Sequence, residues 1–523
     1  MSAAPSGAAP EVVPIDLARL DLDAFAGRPV VVLGLARSGV ALVRFLADRG
    51  AQVTVYDAKP REALAEQLEQ VGDRPFRALL GADVEPATAL AGQALVCTSP
   101  SVSSRYPTTE PRLRAALAAI ESEGRVPVVS EVDLFLRLCP ALTIGVTGTK
   151  GKTTTASLIA AVLGAGPEPV HLGGNIGTPL VERLPQLTAV QLVVLELSEL
   201  QLPTLSRGTD VAVYTHVSSD HLDRHGSLAA YRRTKQRLAE LLPPDGALVL
   251  NDEDPVSRVY DELAVARGVR YSRHDVPAGG VGVADGWIVA DGFARLAQVG
   301  AGEVMTGPQG RIMPLEEVPL AGRHNTSNVL AAVTVGLLCG MAPDGIRRAV
   351  AGFGGVEHRL ETVAVVGGVR YVNDSSGTQP DAVIAALHAF EPPLVLIAGG
   401  RGKDVPLDEL ARVVAERAAA VVLIGQVGPQ MADVFSAAGA RHVELAHDLV
   451  AAVERAAELA REALPDGQSS ASAAGEAWAT VLLSPAAASF DMFADYAARG
   501  RAFRAAVGGL AAGALAAGEG RVE

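Results

Sequence analysis

The sequence predicts an α/β protein built on parallel sheets and divided into three domains. Three observations carry that expectation. Short apolar runs rich in Val, Ile and Leu recur along the chain, each followed by a helical period, which is the rhythm of β-α-β units. Two of these runs end in glycine-bearing turns that open a helix, Gly34-Leu35-Ala36-Arg37-Ser38-Gly39 and Gly148-Thr149-Lys150-Gly151-Lys152-Thr153-Thr154. At 523 residues the chain exceeds one core, given roughly 150 residues per domain. Its 49% hydrophobic content is low in aromatics and dominated by Ala, Val and Leu, which suits helices packed on buried parallel strands.

Taken in order, residues 1–25 read as a loose Ala/Pro-rich tail, without the basic region and apolar core of a signal peptide. Residues 26–138 form a Rossmann-like unit, with a strand at 28–34, a helix at 40–49 and a strand at 52–57. Its turn is close to a dinucleotide fingerprint, but the middle glycine is Ala36, which weakens an NAD reading. Asp57, at the end of the second strand, can still hydrogen-bond a ribose or a base edge. Residues 139–355 form a central domain of the P-loop ATPase type, with strands at 142–147 and 191–196 and a helix at 228–242. Residues 271–318 are richer in Gly and Val and read as a small antiparallel insertion. The longest apolar run, 329–342, is too short to span a bilayer and fits a buried helix. Residues 356–506 alternate again, with strands at 369–374, 394–399, 421–425 and 479–483, giving a second Rossmann-like domain. Residues 466–476 read as a flexible loop and 507–523 as a low-complexity tail.

The net charge is −14, from 45 Lys and Arg against 59 Asp and Glu, which disfavours a nucleic-acid partner. Cys97, Cys139 and Cys339 are too scattered for a disulfide framework or a metal pair. Together these features point to an enzyme of the cytoplasm with no membrane insertion.

The chemistry concentrates after the strand at 142–147. A glycine-rich turn leading into a helix brings backbone N–H groups and a helix N-terminus to phosphate oxygens. In such a turn Lys152 can reach the terminal phosphates, and Thr153 can place its hydroxyl on a magnesium ion. Val146 stands where the usual pattern has its first glycine, so the loop is a variant. Glu196, ending the next apolar strand, can present a carboxylate to that metal or cap a helix. Asp220-His221-Leu222-Asp223-Arg224-His225 packs imidazoles and carboxylates together; it reads as a polar turn or, beside a triphosphate, as a source of a second ligand in His221. Lys235 lies on an amphipathic helix, where spacing alone makes it a solvated lysine. Asn325 and Asn328, one helical turn apart, can address one ligand.

These residues occur with a further ordered set: Gly174-Asn175-Ile176-Gly177, Glu196-Leu197-Ser198, Tyr231-Arg232-Arg233-Thr234-Lys235, His324-Asn325-Thr326-Ser327-Asn328, His358-Arg359-Leu360-Glu361 and Asn373-Asp374-Ser375. Over residues 28–506 the chain resembles the Mur ligases, ATP-dependent amide-forming enzymes of peptidoglycan synthesis. The run from Leu483 through Ser489-Phe490-Asp491 to Arg499-Gly500 is similar to the branch that adds D-glutamate to UDP-N-acetylmuramoyl-L-alanine.

The resemblance implies a uridine nucleotide bound by Gly34, Ala36, Arg37, Ser38 and Asp57, with Thr98, Ser99 and Pro100 lining the same site. ATP would be held by Gly148, Thr149, Lys150, Gly151, Lys152, Thr153 and Thr154, with Asn325 and Asn328 at adenine and Arg359 and Asp374 at the nucleotide. Two magnesium ions are implied, ligated by Thr153, Glu196, His221 and a carbamylated Lys235. Asn175 and Ser198 would contact the muramoyl-alanine part, while Thr378, Lys403, Ser489 and Tyr496 would serve the incoming amino acid. A monomer is implied as well. Departures from the family pattern fall at Ser376, where a lysine is usual, at Ser101 in place of glycine, and at Glu199 in place of a small polar residue. Ser376 keeps a ligase for L-glutamate or another amino acid open. Outside amide ligases, an NAD(P)-dependent oxidoreductase and a non-catalytic nucleotide-binding regulator compete with it.

Overall fold

The computed structural model describes residues 12–218, 227–320, 322–402, 405–464 and 478–516. They divide into two compact units, Met1–Phe353 and Gly354–Glu523.

The first unit opens with β1 (Pro29–Leu33), α1 (Arg37–Asp48), β2 (Gln52–Asp57), α2 (Ala65–Val71), β3 (Arg77–Leu80), α3 (Pro86–Leu90), β4 (Leu95–Thr98), α4 (Pro111–Glu123), β5 (Val128–Ser130) and α5 (Glu131–Leu138). The strands form a parallel sheet in the order β3-β2-β1-β4-β5. β1 is apolar on both faces because helices cover both, and Val30 to Leu33 have no exposed surface. Strand order reverses at β1, so the crevice at the carboxyl ends of β1 and β4 is where such a sheet takes a ligand. Residues 12–25 depart from the expected loose tail: Ile15 and Phe25 are buried in the core, and the Ile15 N–H donates to the Ala94 carbonyl. Two well-placed hydrophobic anchors outweigh an unpromising composition.

The same unit continues with β6 (Leu142–Thr147), α6 (Lys152–Gly164), β7 (Val170–Gly174), β8 (Leu192–Glu196), β9 (Val211–Tyr214), α7 (Leu228–Glu240), β10 (Ala247–Asn251), β11 (Arg267–Ser272), β12 (Val281–Ala284), β13 (Trp287–Ala290), β14 (Arg311–Pro314), α8 (Arg323–Leu338) and α9 (Pro343–Ala351). They build a nine-stranded sheet in the order β14-β13-β12-β11-β10-β9-β6-β8-β7. The antiparallel insertion is present as β12, β13 and β14 at one edge. α8 is almost wholly buried from Asn328 onward, which accounts for the long apolar run. Among the described residues no helix is long and apolar enough to cross a membrane.

The second unit carries β15 (Glu361–Val366), β16 (Val369–Asn373), α10 (Pro380–His388), β17 (Leu394–Gly399), α11 (Asp408–Arg417), β18 (Ala418–Ile424), α12 (Gly428–Ala437), β19 (Val443–Leu445), α13 (Leu449–Glu462), β20 (Ala479–Leu483) and α14 (Tyr496–Ala516). Its sheet runs β15-β16-β20-β17-β18-β19 and is parallel except for the edge hairpin β15-β16. Helix α14 continues through residues 507–516, where composition suggests a tail, because Val507 and Ala511 bury their side chains in a core cluster on one face of this sheet. Ala and Gly obscure that amphipathic spacing in composition but allow close helix packing.

Candidate active site

In the first unit's larger sheet β6 is an interior strand between β9 and β8, and the chain leaves it through a turn with little room. Gly148 has φ +150°, and a Cβ there would lie 2.0 Å from Thr215 Oγ1. Gly151 has φ +85°, and its Cβ would lie 2.6 Å from Asn328 Oδ1. Only glycine fits either position. Gly151 also precedes α6 without a side-chain cap, so the first-turn N–H groups stay available to an anion. Lys152 folds over the turn, its Nζ donating to the carbonyls of Gly148 at 3.1 Å and Thr149 at 3.0 Å. Lys150 is exposed, and Thr154 is half-buried one residue beyond Thr153.

β8 lies next to β6, and its last residue turns toward the loop. Thr153 Oγ1 donates to Glu196 Oε2 at 2.7 Å, and Asn175 Nδ2 donates to Glu196 Oε1 at 2.8 Å. Glu196 is 2% exposed. An oxygen pair made of a hydroxyl and a carboxylate, at a helix N-terminus built for phosphate, is the donor set a hard divalent cation such as magnesium takes. The residues therefore fit the expected metal. Ser198, just past this strand, is buried and gives both its N–H and its hydroxyl to Gln201 Oε1.

Thr149 joins the loop to α7. Its N–H donates to the His216 carbonyl, its Oγ1 accepts the Ser218 N–H at 3.0 Å, and the Tyr231 hydroxyl lies 2.9 Å away. One turn along α7, Lys235 is 0% exposed, with Nζ 5.0 Å from the centre of the Tyr231 ring. The solvated lysine suggested by spacing is thus excluded. The Tyr214 hydroxyl donates to the Lys235 carbonyl and fixes the helix against β9. Tyr231 and Tyr214 carry this linkage, and neither role is visible in spacing. His221 lies outside the described residues.

Asn325 and Asn328 occupy the first turns of α8 on one side, with Asn328 Nδ2 donating to Asn325 Oδ1 at 3.1 Å. Asn328 Oδ1 accepts from Thr155 Oγ1 at 3.1 Å, so this buried amide braces α6 just behind the loop.

In the smaller sheet, Gly34 and Ser99 meet at the switch point, with Ser99 Oγ donating to the Gly34 carbonyl at 3.4 Å. Asp57 uses both oxygens locally: Oδ2 accepts the Leu35 N–H at 2.8 Å and Oδ1 the Lys59 N–H at 2.9 Å. It shapes the turn that carries Ala36, Arg37 and Ser38 into the uncapped start of α1. Thr98 ends β4 and, with Ser130, Thr204 and Arg233, lines a cavity of about 620 Å³; Ser99 and Pro100 follow it in sequence and are not among the residues that line the cavity.

In the second unit Asp374 is 4% exposed, accepting from Ser484 Oγ and the Leu360 N–H, and burial pushes its carboxyl up to about 6. Arg359 is exposed beside Leu360 in sequence. Ser376 and Thr378 follow β16 and are half-buried, Ser489 is buried in the loop after β20, and Tyr496 opens α14 with its ring edge-on to His358 at 6.4 Å. Lys403 lies outside the described residues.

Models of three domains match in this order: a Mur ligase MurD-like N-terminal domain over residues 28–121, a Mur ligase middle domain over 146–336, and a Mur ligase glutamate ligase domain over 358–466. The chain belongs to the Mur ligase family. Among its relatives, the UDP-N-acetylmuramoylalanine--D-glutamate ligase of Symbiobacterium thermophilum is 36% identical, covering 92% of this chain and 97% of that protein. The ligase of the same name from Roseiflexus sp. is 37% identical, covering 92% and 98%. The crystal structure of UDP-N-acetylmuramate-alanine ligase from Thermotoga maritima shares the fold at 16% identity, with a TM-score of 0.50 over 92% of this chain and 99% of that one. None of these matches supports the oxidoreductase alternative.

Proposed function

We propose that this chain is the ATP-dependent ligase that joins D-glutamate to UDP-N-acetylmuramoyl-L-alanine, giving ADP and phosphate. The observation that carries the reading is the joining of Thr153, Glu196 and Asn175 at the mouth of the phosphate loop, in a chain whose full-length relatives bear that name.

A carboxylate is a poor electrophile, and phosphorylation by ATP converts it to an acyl phosphate. One carboxylate oxygen attacks the terminal phosphorus as ADP leaves. The amine of D-glutamate then attacks the acyl carbon, and phosphate departs from the tetrahedral intermediate. The protein's part is positioning and charge compensation. The N–H groups at the start of α6 and Lys152 would hold the terminal phosphates, while Thr153 and Glu196 would hold magnesium, which offsets the negative charge gathered there. We assign a second magnesium to His221 and a carbamylated Lys235; the complete burial of Lys235 beside Tyr231 supports a role other than solvation. Asn175 and Ser198 would meet the muramoyl-alanine end, and the turn after β1 with Asp57 the uridine nucleotide. The loops after β16 and β20, bearing Thr378 and Ser489, would take the amino acid. On this reading the enzyme works in the cytoplasm as a monomer.

Phosphate release and amide formation are measured with ATP and UDP-N-acetylmuramoyl-L-alanine, with D-glutamate, L-glutamate or no amino acid. Turnover that requires D-glutamate supports the proposal. Turnover with L-glutamate alone would keep the mechanism and overturn the substrate.

A further inference from the structure

Arg499 is 1% exposed, yet among the described residues no carboxylate lies within ion-pair distance of it. Burying a guanidinium without a counter-ion is expensive unless its donors are all used. Here they are spread over the carboxyl ends of three parallel strands. Nε donates to Ser375 Oγ at 3.0 Å and Nη2 to the Ser375 carbonyl at 3.0 Å, both just after β16. Nη1 and Nη2 reach the Ala487 carbonyl at 3.3 and 3.2 Å, and Nη1 the Ala488 carbonyl at 3.4 Å, both in the loop after β20. Nη1 also reaches the Gly399 carbonyl, which ends β17, at 3.5 Å. The neighbouring Gly400 has room for nothing more, since a Cβ there would lie 2.2 Å from the Ala488 carbonyl and 3.1 Å from Nη1. Burial pulls the guanidinium down to about 10, where it still carries its charge at neutral pH.

Two of the segments tied in this way continue into Thr378 and into Ser489. We propose that Arg499 is a positioning residue of the acceptor amino-acid pocket: braced on the end of β17, one planar fork sets the spacing of the two loops, after β16 and after β20, that present Thr378 and Ser489 to the incoming dicarboxylate. The inference rests on the reading that those loops bind the amino acid. Lysine keeps the charge but has a single head that cannot span three strand ends.

The test is steady-state kinetics of the full chain with each substrate varied in turn, for Arg499→Lys, Thr378→Val and Ser489→Ala. Arg499→Lys is expected to raise KM for D-glutamate about tenfold or more, with KM for ATP and UDP-N-acetylmuramoyl-L-alanine within about twofold of the parent. Equal changes for all three substrates, or an unchanged KM for D-glutamate, would overturn the positioning role. If Thr378→Val and Ser489→Ala also leave KM for D-glutamate unchanged, the pocket itself has been misplaced, which separates the two failures. Should Arg499→Lys fail to fold, Ser375→Ala removes the Nε acceptor and carries the same prediction at about threefold.

Discussion

Replacing Thr153 with valine removes one hydroxyl and little else, because the two side chains have nearly the same shape. In the structure that hydroxyl is a 2.7 Å donor to Glu196, which is 2% exposed and among the described residues keeps one other side-chain donor, Asn175 at 2.8 Å. A hydrogen bond to a charged group contributes roughly 1.5–3 kcal/mol, and leaving the carboxylate oxygen facing a methyl forfeits that range. Stability without nucleotide is therefore expected to fall by about 1.5–3 kcal/mol in denaturant unfolding. The ligation rate at fixed magnesium is expected to fall by about 10–100-fold, since each 1.4 kcal/mol is a factor of ten. Raising magnesium should recover part of that loss, and Thr153→Ser should recover nearly all of it. A valine variant with parental rate and parental magnesium dependence would refute the assignment of Thr153 and Glu196 to the metal.

Lys235→Ala should abolish ligation at ambient carbon dioxide and regain substantial activity with small carboxylic acids, which can occupy the volume of a carbamate; full activity without them would end the carbamate assignment. Gly151→Ala should lose ATP binding almost entirely in equilibrium titrations, because its Cβ would fall 2.6 Å from Asn328 Oδ1 at a positive φ. Glu131, at the start of α5, is 5% exposed, and burial pushes its carboxyl up to about 7, with the Val181 N–H as the main opposing influence. A carboxyl raised in the folded state binds protons there that the unfolded chain does not hold. Its contribution to stability is therefore full below about pH 4.5 and lost as pH rises through about 7. Glu131→Gln should flatten that slope and stabilise the protein at pH 8 by on the order of 2 kcal/mol, with no gain at about pH 4.5, in denaturant unfolding at both pH values.

The parallel α/β architecture is plain in the sequence because strands buried on both faces leave unbroken Val, Leu and Ile runs, as in β1, β6 and β17. The phosphate loop is legible for a different reason: its glycines answer to steric limits that hold in any fold. The boundaries are less so. α1 begins at Arg37, ahead of the apolar periodicity at Val40, since its first two residues, Arg37 and Ser38, are polar and not buried. The segment at residues 12–25 and the end of α14 are hidden by Ala-, Pro- and Gly-rich composition, although a few anchors bury well. Spacing misplaces Lys235 in solvent and gives no sign of the role of Arg499, because burial of a charge depends on what lies across from it, and that is set by tertiary packing. The contact between Thr149 and Tyr231 spans 82 positions and joins two elements that periodicity treats as independent.

The central claim is that the substrate carboxylate is activated by phosphoryl transfer at this loop. UDP-N-acetylmuramoyl-L-alanine carrying 18O in the alanine carboxylate is turned over with ATP and D-glutamate, and the released phosphate is examined by mass spectrometry. The account predicts one 18O in each inorganic phosphate, with ADP as the nucleotide product. Unlabelled phosphate, or label recovered in AMP, would contradict it.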